Sequence, residues 1–477
     1  MEERKGFGST FGFLMAAVGS AVGLGNIWGF PNKMGENGGA LFLIIYLVLA
    51  VFCGVIIMWG ELALGRKTGK GAIASYQIVS KKFKWLGWLA TISPFLILCF
   101  YCALGGYCLK YVVLNVGNLF GAGFGSAGQD GGTIFGNFLT NPVEGVIYGI
   151  IFVMITVLIV MGGVGGGIEK VCSVGMPALF VILIICIIRS CTLPGAIDGL
   201  KYMFVPGWAV ANGILEESPS IFSVLATAGG QMFFSLSLGM GVMITYGSYL
   251  DKEQNLQSNA ILIVVMDTLV ALFAGMCVLP ARFALDPNGP IGGPKLLFVT
   301  MQNVFDNMGG VIGAIFGILF YGLVVFAAIS SSISLLEVLV AHFVDKAAAA
   351  GKGDKRKSYS LIVAIPVALL CILMCVDGLG SNGVWVPFQS FTIGAWNDCW
   401  LDFFDVLAEG ILMPLGALLM SIMYGWEIGP DLVKEEIEVN GTHKFGANGF
   451  FKVCIRYITP LLMLLVLYGQ IHDFFLV

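Results

Sequence analysis

Eleven apolar stretches dominate the chain, at residues 8–33, 40–64, 86–118, 142–161, 168–190, 217–249, 256–282, 309–345, 359–377, 400–424 and 452–474. Each is about as long as the roughly 20 residues an α-helix needs to cross a bilayer core, and several are longer, which implies tilt or a break. Nothing else narrows the fold so far. A chain that must satisfy every backbone donor and acceptor in lipid can only form helices or a closed barrel, and barrel strands alternate apolar with polar residues. These runs do not alternate, so they predict an all-α integral membrane protein. Composition agrees, with 58% of residues hydrophobic and 11% charged, against roughly a quarter charged in an average soluble domain. The first run resembles a signal peptide superficially, but it is long, glycine-broken and lacks an A-x-A cleavage site, and it is kept as the first span.

Two runs are interrupted. Gly19-Ser20-Ala21-Val22-Gly23-Leu24-Gly25-Asn26 breaks the first, and Ser235-Leu236-Ser237-Leu238-Gly239-Met240-Gly241 breaks the sixth. Helix-breaking runs survive at bilayer depth only where the freed groups meet protein, ion, substrate or water. Two of them half a chain apart suggest a carrier built from two related halves with its site between them. Taken singly, either run could serve only to let helices pack closely through small residues.

Lysine and arginine set the orientation. With the amino terminus inside, 19 fall on the inner side and six on the outer, so the expectation is an inner amino terminus and, with eleven spans, an outer carboxyl terminus in the cell membrane. The segments 119–141, 191–216, 283–308 and 378–399 then face outward. The net charge of −4 shows no concentrated basic face, which argues against nucleic acid as a partner. Most of the twelve cysteines lie within apolar runs, without the paired spacing of a metal site, and read as packing residues.

Gly19–Pro31, read GSAVGLGNIWGFP, together with Glu36-Asn37-Gly38-Gly39, Gly230-Gln231-Met232-Phe233-Phe234-Ser235-Leu236-Ser237-Leu238-Gly239 and Phe326-Ala327-Ala328-Ile329-Ser330-Ser331-Ser332, closely resembles the neurotransmitter:sodium symporter family. An ending after the eleventh helix resembles prokaryotic members. The resemblance implies a LeuT-like fold: one transmembrane unit over 1–477, a five-helix repeat at 1–190, an inverted second repeat at 217–424, broken helices 1 and 6, and an eleventh helix at 452–474. It also implies sodium-coupled amino-acid uptake by alternating access.

The implied site residues suit that chemistry. A half-helix amino terminus offers free N–H groups and a positive dipole end to a substrate carboxylate, which Leu24 and Gly25 would meet with the Tyr101 hydroxyl. Carbonyls at Ala21, Phe234 and Ser237 would accept the ammonium. The resemblance assigns a first sodium to Ala21, Asn26, Ser235, Asp267 and the substrate carboxylate. It assigns a second to Gly19, Val22, Ala327, Ser330 and Ser331. The serines could instead bond back to their own helix. The side-chain pocket is lined by Ile97, Phe234, Ser237, Met240, Ser332 and Leu335, with Val22, Ser235 and Tyr101 close by. That wall is apolar and Met240 adapts to varied shapes, which favours large hydrophobic or aromatic L-amino acids. Ser20 stands where monoamine carriers prefer aspartate.

Two departures from the family pattern are informative. Asp267 replaces a common asparagine, with Ala271 offering no charge nearby; an intramembrane carboxylate is costly unless paired, so it can supply the negative charge that chloride supplies elsewhere. Transport independent of chloride follows, with Asp267 as a sodium ligand. Gly29 replaces the outer arginine whose partner position is Asp405, so the usual outer salt bridge cannot form and Tyr101 with Phe234 must carry more of that closure. For the inner gate the resemblance assigns an Arg4–Asp345 ion pair, Phe7 as a plug and Tyr249 as its brace.

Other classes fit less well. A channel, or a sodium-dependent amino-acid sensor, could use the same breaks, but the chain carries no added signalling segment. No G-x-S-x-G or H-E-x-x-H appears and the three histidines are scattered, so an enzyme is not expected. Gly162-Gly163-Val164-Gly165-Gly166-Gly167-Ile168-Glu169-Lys170 lacks the Gly-Lys-Ser/Thr of a P-loop and reads as a glycine-rich turn.

Overall fold

The computed structural model describes residues 6–126, 128–353, 355–387 and 399–475. Every regular element among them is helical. Among the described residues nine helices are long and apolar enough to cross a membrane: Ala40–Thr68, Leu86–Phe120, Pro142–Met161, Val164–Cys191, Leu256–Leu285, Gly310–Ala349, Arg356–Asp377, Trp400–Glu427 and Asn448–His472. We call them the second to fifth and seventh to eleventh spans. The first span is a bent pair, Thr10–Ala21 and Gly25–Glu36, at 47° to each other. The sixth run divides into Ile221–Leu236 and a six-residue helix, Val242–Gly247, neither long enough to cross alone.

Local chemistry explains the edges. Ser9 caps Thr10–Ala21 by accepting from the Gly12 amide, and Asn255 caps the seventh span by accepting from the Ser258 amide. The fifth span begins at Val164, four residues before the expected 168, because the glycine-rich run forms a π-helical turn over Val164–Glu169 instead of a loop. Parts of the expected outer loops are also helical, at Gly131–Leu139, Ala196–Phe204 and Met301–Met308. The eighth span has 40 residues, about 60 Å at 1.5 Å per residue, and therefore projects beyond a hydrocarbon core of about 30 Å.

The third and eighth spans pack along each other at the centre and flank the two broken spans. Glycine permits the closest approach. A Cβ on Gly247 would stand 2.6 Å from the Leu62 carbonyl oxygen, so the second span and Val242–Gly247 meet backbone to backbone. Large apolar side chains such as Leu158, Val174, Ile365 and Leu464 face outward in numbers a water-facing surface does not carry, as a lipid-facing surface requires.

Candidate functional site

The two breaks meet at the middle of the molecule. Thr10–Ala21 ends at Val22, whose ψ of 103° turns the chain out of the helix. The second break holds Ser237 in the left-handed region at φ 54°, with Gly239 and Gly241 at 75° and 70°. A left-handed serine is strained and needs support. It has it: the Ser237 hydroxyl donates to the Ser20 carbonyl at 3.0 Å, tying one break to the other. Glu61 of the second span, fully buried, accepts from the Gly239 amide at 2.7 Å and braces the same bend.

A cavity lies between them, lined by Ser20, Ala21, Gly23, Gly25, Ile97, Tyr101, Phe234, Ser237, Met240, Ser331 and Leu335. Eight of these were expected there from the sequence. Four expected residues do not line it. Leu24 and Val22 are buried beside it, the Leu24 amide donating to the Tyr101 hydroxyl at 2.8 Å. Ser235 turns its hydroxyl to Asp267, and Ser332 turns away to Thr156 at 2.8 Å. Ser332 follows Ser331 by about 100° of helical rotation, which carries its side chain off the cavity side of the eighth span. Tyr101 and Phe234 stand 6.4 Å apart, ring centre to ring centre, at the cavity edge.

Two groups of oxygen-bearing residues flank the cavity. In the first, the fully buried Asp267 carboxylate accepts from the Asn26 amide at 2.7 Å and the Ser235 hydroxyl at 2.9 Å, with Tyr46 donating at 3.4 Å. Ala21 is on the cavity wall beside them. In the second, the Val22 carbonyl receives Ser330 at 3.3 Å and Ser331 at 3.4 Å, and Ser330 also donates to the Ala327 carbonyl at 2.9 Å. Gly19 packs against Cys172 and Met176 of the fifth span. Both groups offer carbonyl, hydroxyl or carboxylate oxygen, the donor set a hard cation prefers. Among the described residues no His/Cys/Asp/Glu cluster suits a transition metal.

Of the residues expected at the gates, Phe7 and Tyr249 are in contact as expected. Arg4 lies outside the described residues. Asp345 accepts from the Gly71 amide at 2.8 Å and lies 3.8 Å from the Lys70 ammonium. Phe7 is buried edge-on against Phe13, Tyr246 and Tyr249, and Tyr249 donates to Glu337 at 2.6 Å. Arg356 completes that buried cluster at 2.5 Å from Glu337. On the opposite face, a Cβ on Gly29 would stand 2.9 Å from Gln231, whose amide donates to the Gly25 carbonyl at 2.7 Å. Asp405 makes no ion pair among the described residues. Glu409, one turn further along the tenth span, pairs with Lys33 of the first. This face therefore holds an ion pair besides Tyr101 and Phe234, which were expected to carry more of the closure.

Sequence reasoning missed Ser20, Gly23 and Ser331 as cavity walls, and Glu61, Glu337 and Glu409 as structural carboxylates. The last three were findable, because each lies in an apolar run, the criterion that singled out Asp267.

Comparisons with known proteins agree with this geometry. Residues 4–119 and 145–475 match the sodium:neurotransmitter symporter family. The chain is 35% identical over 467 residues to YhdH of Bacillus subtilis, an uncharacterized sodium-dependent transporter, covering 96% of each chain. It is 30% identical to the sodium-dependent transporter MJ1319 of Methanocaldococcus jannaschii, covering 98% of this chain and 90% of that one. Its structure superposes on MhsT in complex with L-phenylalanine with a TM-score of 0.84 at 34% identity, covering 98% of this chain and all of that one. The fold is thus LeuT-like, and the chain belongs to the sodium:neurotransmitter symporter family, whose members are secondary transporters and not enzymes.

Proposed function

We propose that this symporter carries large hydrophobic or aromatic L-amino acids into the cell with two sodium ions and without chloride. The observation that carries the reading is the cavity itself: both breaks, Tyr101 and Ser331 of the eighth span converge on one space whose remaining wall is Ile97, Phe234, Met240 and Leu335. Backbone and hydroxyl groups at one end suit a zwitterion; the apolar wall offers a charged side chain nothing to pair with. The L-phenylalanine bound by the structural relative MhsT supports the same substrate class.

Asp267 supports independence from chloride, since it places a fixed carboxylate beside the first group of sodium ligands. Ala21, Asn26, Ser235 and Asp267 would serve one ion, and Gly19, Val22, Ala327, Ser330 and Ser331 the other. Two charges moving down 100 mV release about 4.6 kcal/mol, enough to concentrate a neutral zwitterion without ATP. We place the amino terminus inside, the inverted repeats at 1–190 and 217–424, Phe7, Tyr249 and Asp345 at the inner gate, and Lys33–Glu409 at the outer one.

Binding of each of the twenty amino acids to the purified protein, in sodium and in potassium, tests substrate and coupling ion together. Uptake into proteoliposomes then tests transport: flux without sodium coupling means a channel, and binding without flux a sensor. Uptake that collapses when gluconate replaces chloride removes the role given to Asp267.

A further inference from the structure

The glycine-rich run at 162–167 and the Glu169 that follows take no part in the site above. Gly163, at φ 78°, ends the link from the fourth span, and the π-helical turn Val164–Glu169 carries Glu169 to the amino-terminal end of the first span. There its carboxylate accepts from the Gly8 backbone amide at 2.7 Å and from the Ser9 hydroxyl at 3.1 Å. Ser9 in turn caps the helix by accepting from the Gly12 amide at 2.9 Å. Gly12 has no side chain on the face toward Glu169, where any Cβ would overlap the carboxylate. Further along the same contact, Cys172 and Met176 stand 3.3 and 3.1 Å from the point a Gly19 Cβ would occupy. One run of contacts thus joins the exposed Glu169 bonds to the buried backbone at Gly19.

We propose that Glu169 is a latch: it holds the amino-terminal end of the first span against the start of the fifth, and its release opens the Gly19–Ser331 region toward the amino-terminal face. The position fits a part that must let go in each cycle. Gly8 and Ser9 are exposed, so these hydrogen bonds compete with water and bias the closed state without locking it. Phe7, next in the chain, rides on the same segment and is wedged against Tyr246 and Tyr249. Freeing Gly8 and Ser9 frees that plug.

The latch rests on the alternating-access reading, and native Cys172 gives a readout separate from transport. It is fully buried between the two spans. Full-length detergent-solubilised protein in sodium is treated with a water-soluble maleimide, and peptide mass spectrometry follows Cys172 alongside Cys53, Cys108 and Cys371, which are buried in other spans. Glu169→Ala removes the acceptor; Gly12→Ala displaces it from the opposite side. Each is expected to speed Cys172 alkylation about tenfold while the other three cysteines keep their rates, with Glu169→Gln in between. Cys172 rates within about twofold of the parent in both alanine variants overturn the latch, as does a parallel rise at all four cysteines, which signals general loosening. Uptake measured on the parent tests the carrier reading independently: no sodium-driven uptake removes that reading, whereas uptake with unchanged Cys172 rates removes only the latch.

Discussion

The two breaks solve one problem differently. The first interrupts its helix only at Val22 and Gly23, keeps both backbones on the ordinary side of φ and bends the span by 47°. The second spans Ser237–Gly241, with three of its residues left-handed, and leaves only six helical residues beyond it. Their braces differ as well. The eighth span's serines and Tyr101 hold the first break, whereas Glu61 of the second span holds the other. A short break frees a few carbonyls while keeping them aimed, which suits cations. A wide one reshapes a wall, which suits a side chain. Under the proposed function, the first would serve the ions and the second the substrate side chain.

The comparison can be broken most directly at Asp267, which serves the first break through Asn26. Asp267→Ala leaves buried donors unpartnered and should lower sodium-driven uptake about 100-fold in proteoliposomes; a loss below about threefold would remove it from the ion site. Next in size, Ser330→Ala with Ser331→Ala should raise the sodium concentration for half-maximal uptake about tenfold while leaving the ranking of amino acids intact. If that ranking changes instead, the division of labour between the breaks is wrong. Met240→Ala should do the reverse, shifting competition binding severalfold toward bulkier aromatic substrates at little change in sodium dependence. The smallest effect belongs to Lys33→Ala. Its pair is partly exposed, at 22% and 9% of the side chains, so uptake should change by about two- to threefold, read as faster substrate dissociation toward the outer face.

Much of this was legible in the residues. Eleven runs, two breaks and a carboxylate at 267 pointed to the architecture and to the neighbourhood of the site, because lipid leaves a helix so few ways to be broken. The misplacements share one cause. Ser332 sits beside two site serines in sequence, yet the rotation of the eighth span turns it to Thr156. Glu409 reaches Lys33, and not Asp405, on a stretch of the tenth span wound as a π-helix over Val406–Leu412. Extra residues in a turn change which side chain faces the neighbour, and no composition window records that. The glycine-rich run at 162–167 misled in another way. Glycine disfavours helix, but here the backbone of the fourth span lies against it, with Gly167 meeting the Ile159 carbonyl, and packing overrides propensity.

The sequence by itself determined that this chain lies in a membrane as helices, that two of them are broken, and that oxygen-rich, glycine-rich segments lie at those breaks. Hydrophobic length and the cost of unsatisfied backbone in lipid allow no other outcome. Only the tertiary structure decided which hydroxyls face the cavity, that Glu61 braces the second break, and that Lys33 finds Glu409. Those facts depend on the rotation of each helix about its axis and on contacts between residues far apart in the chain, such as the 376 positions between Lys33 and Glu409.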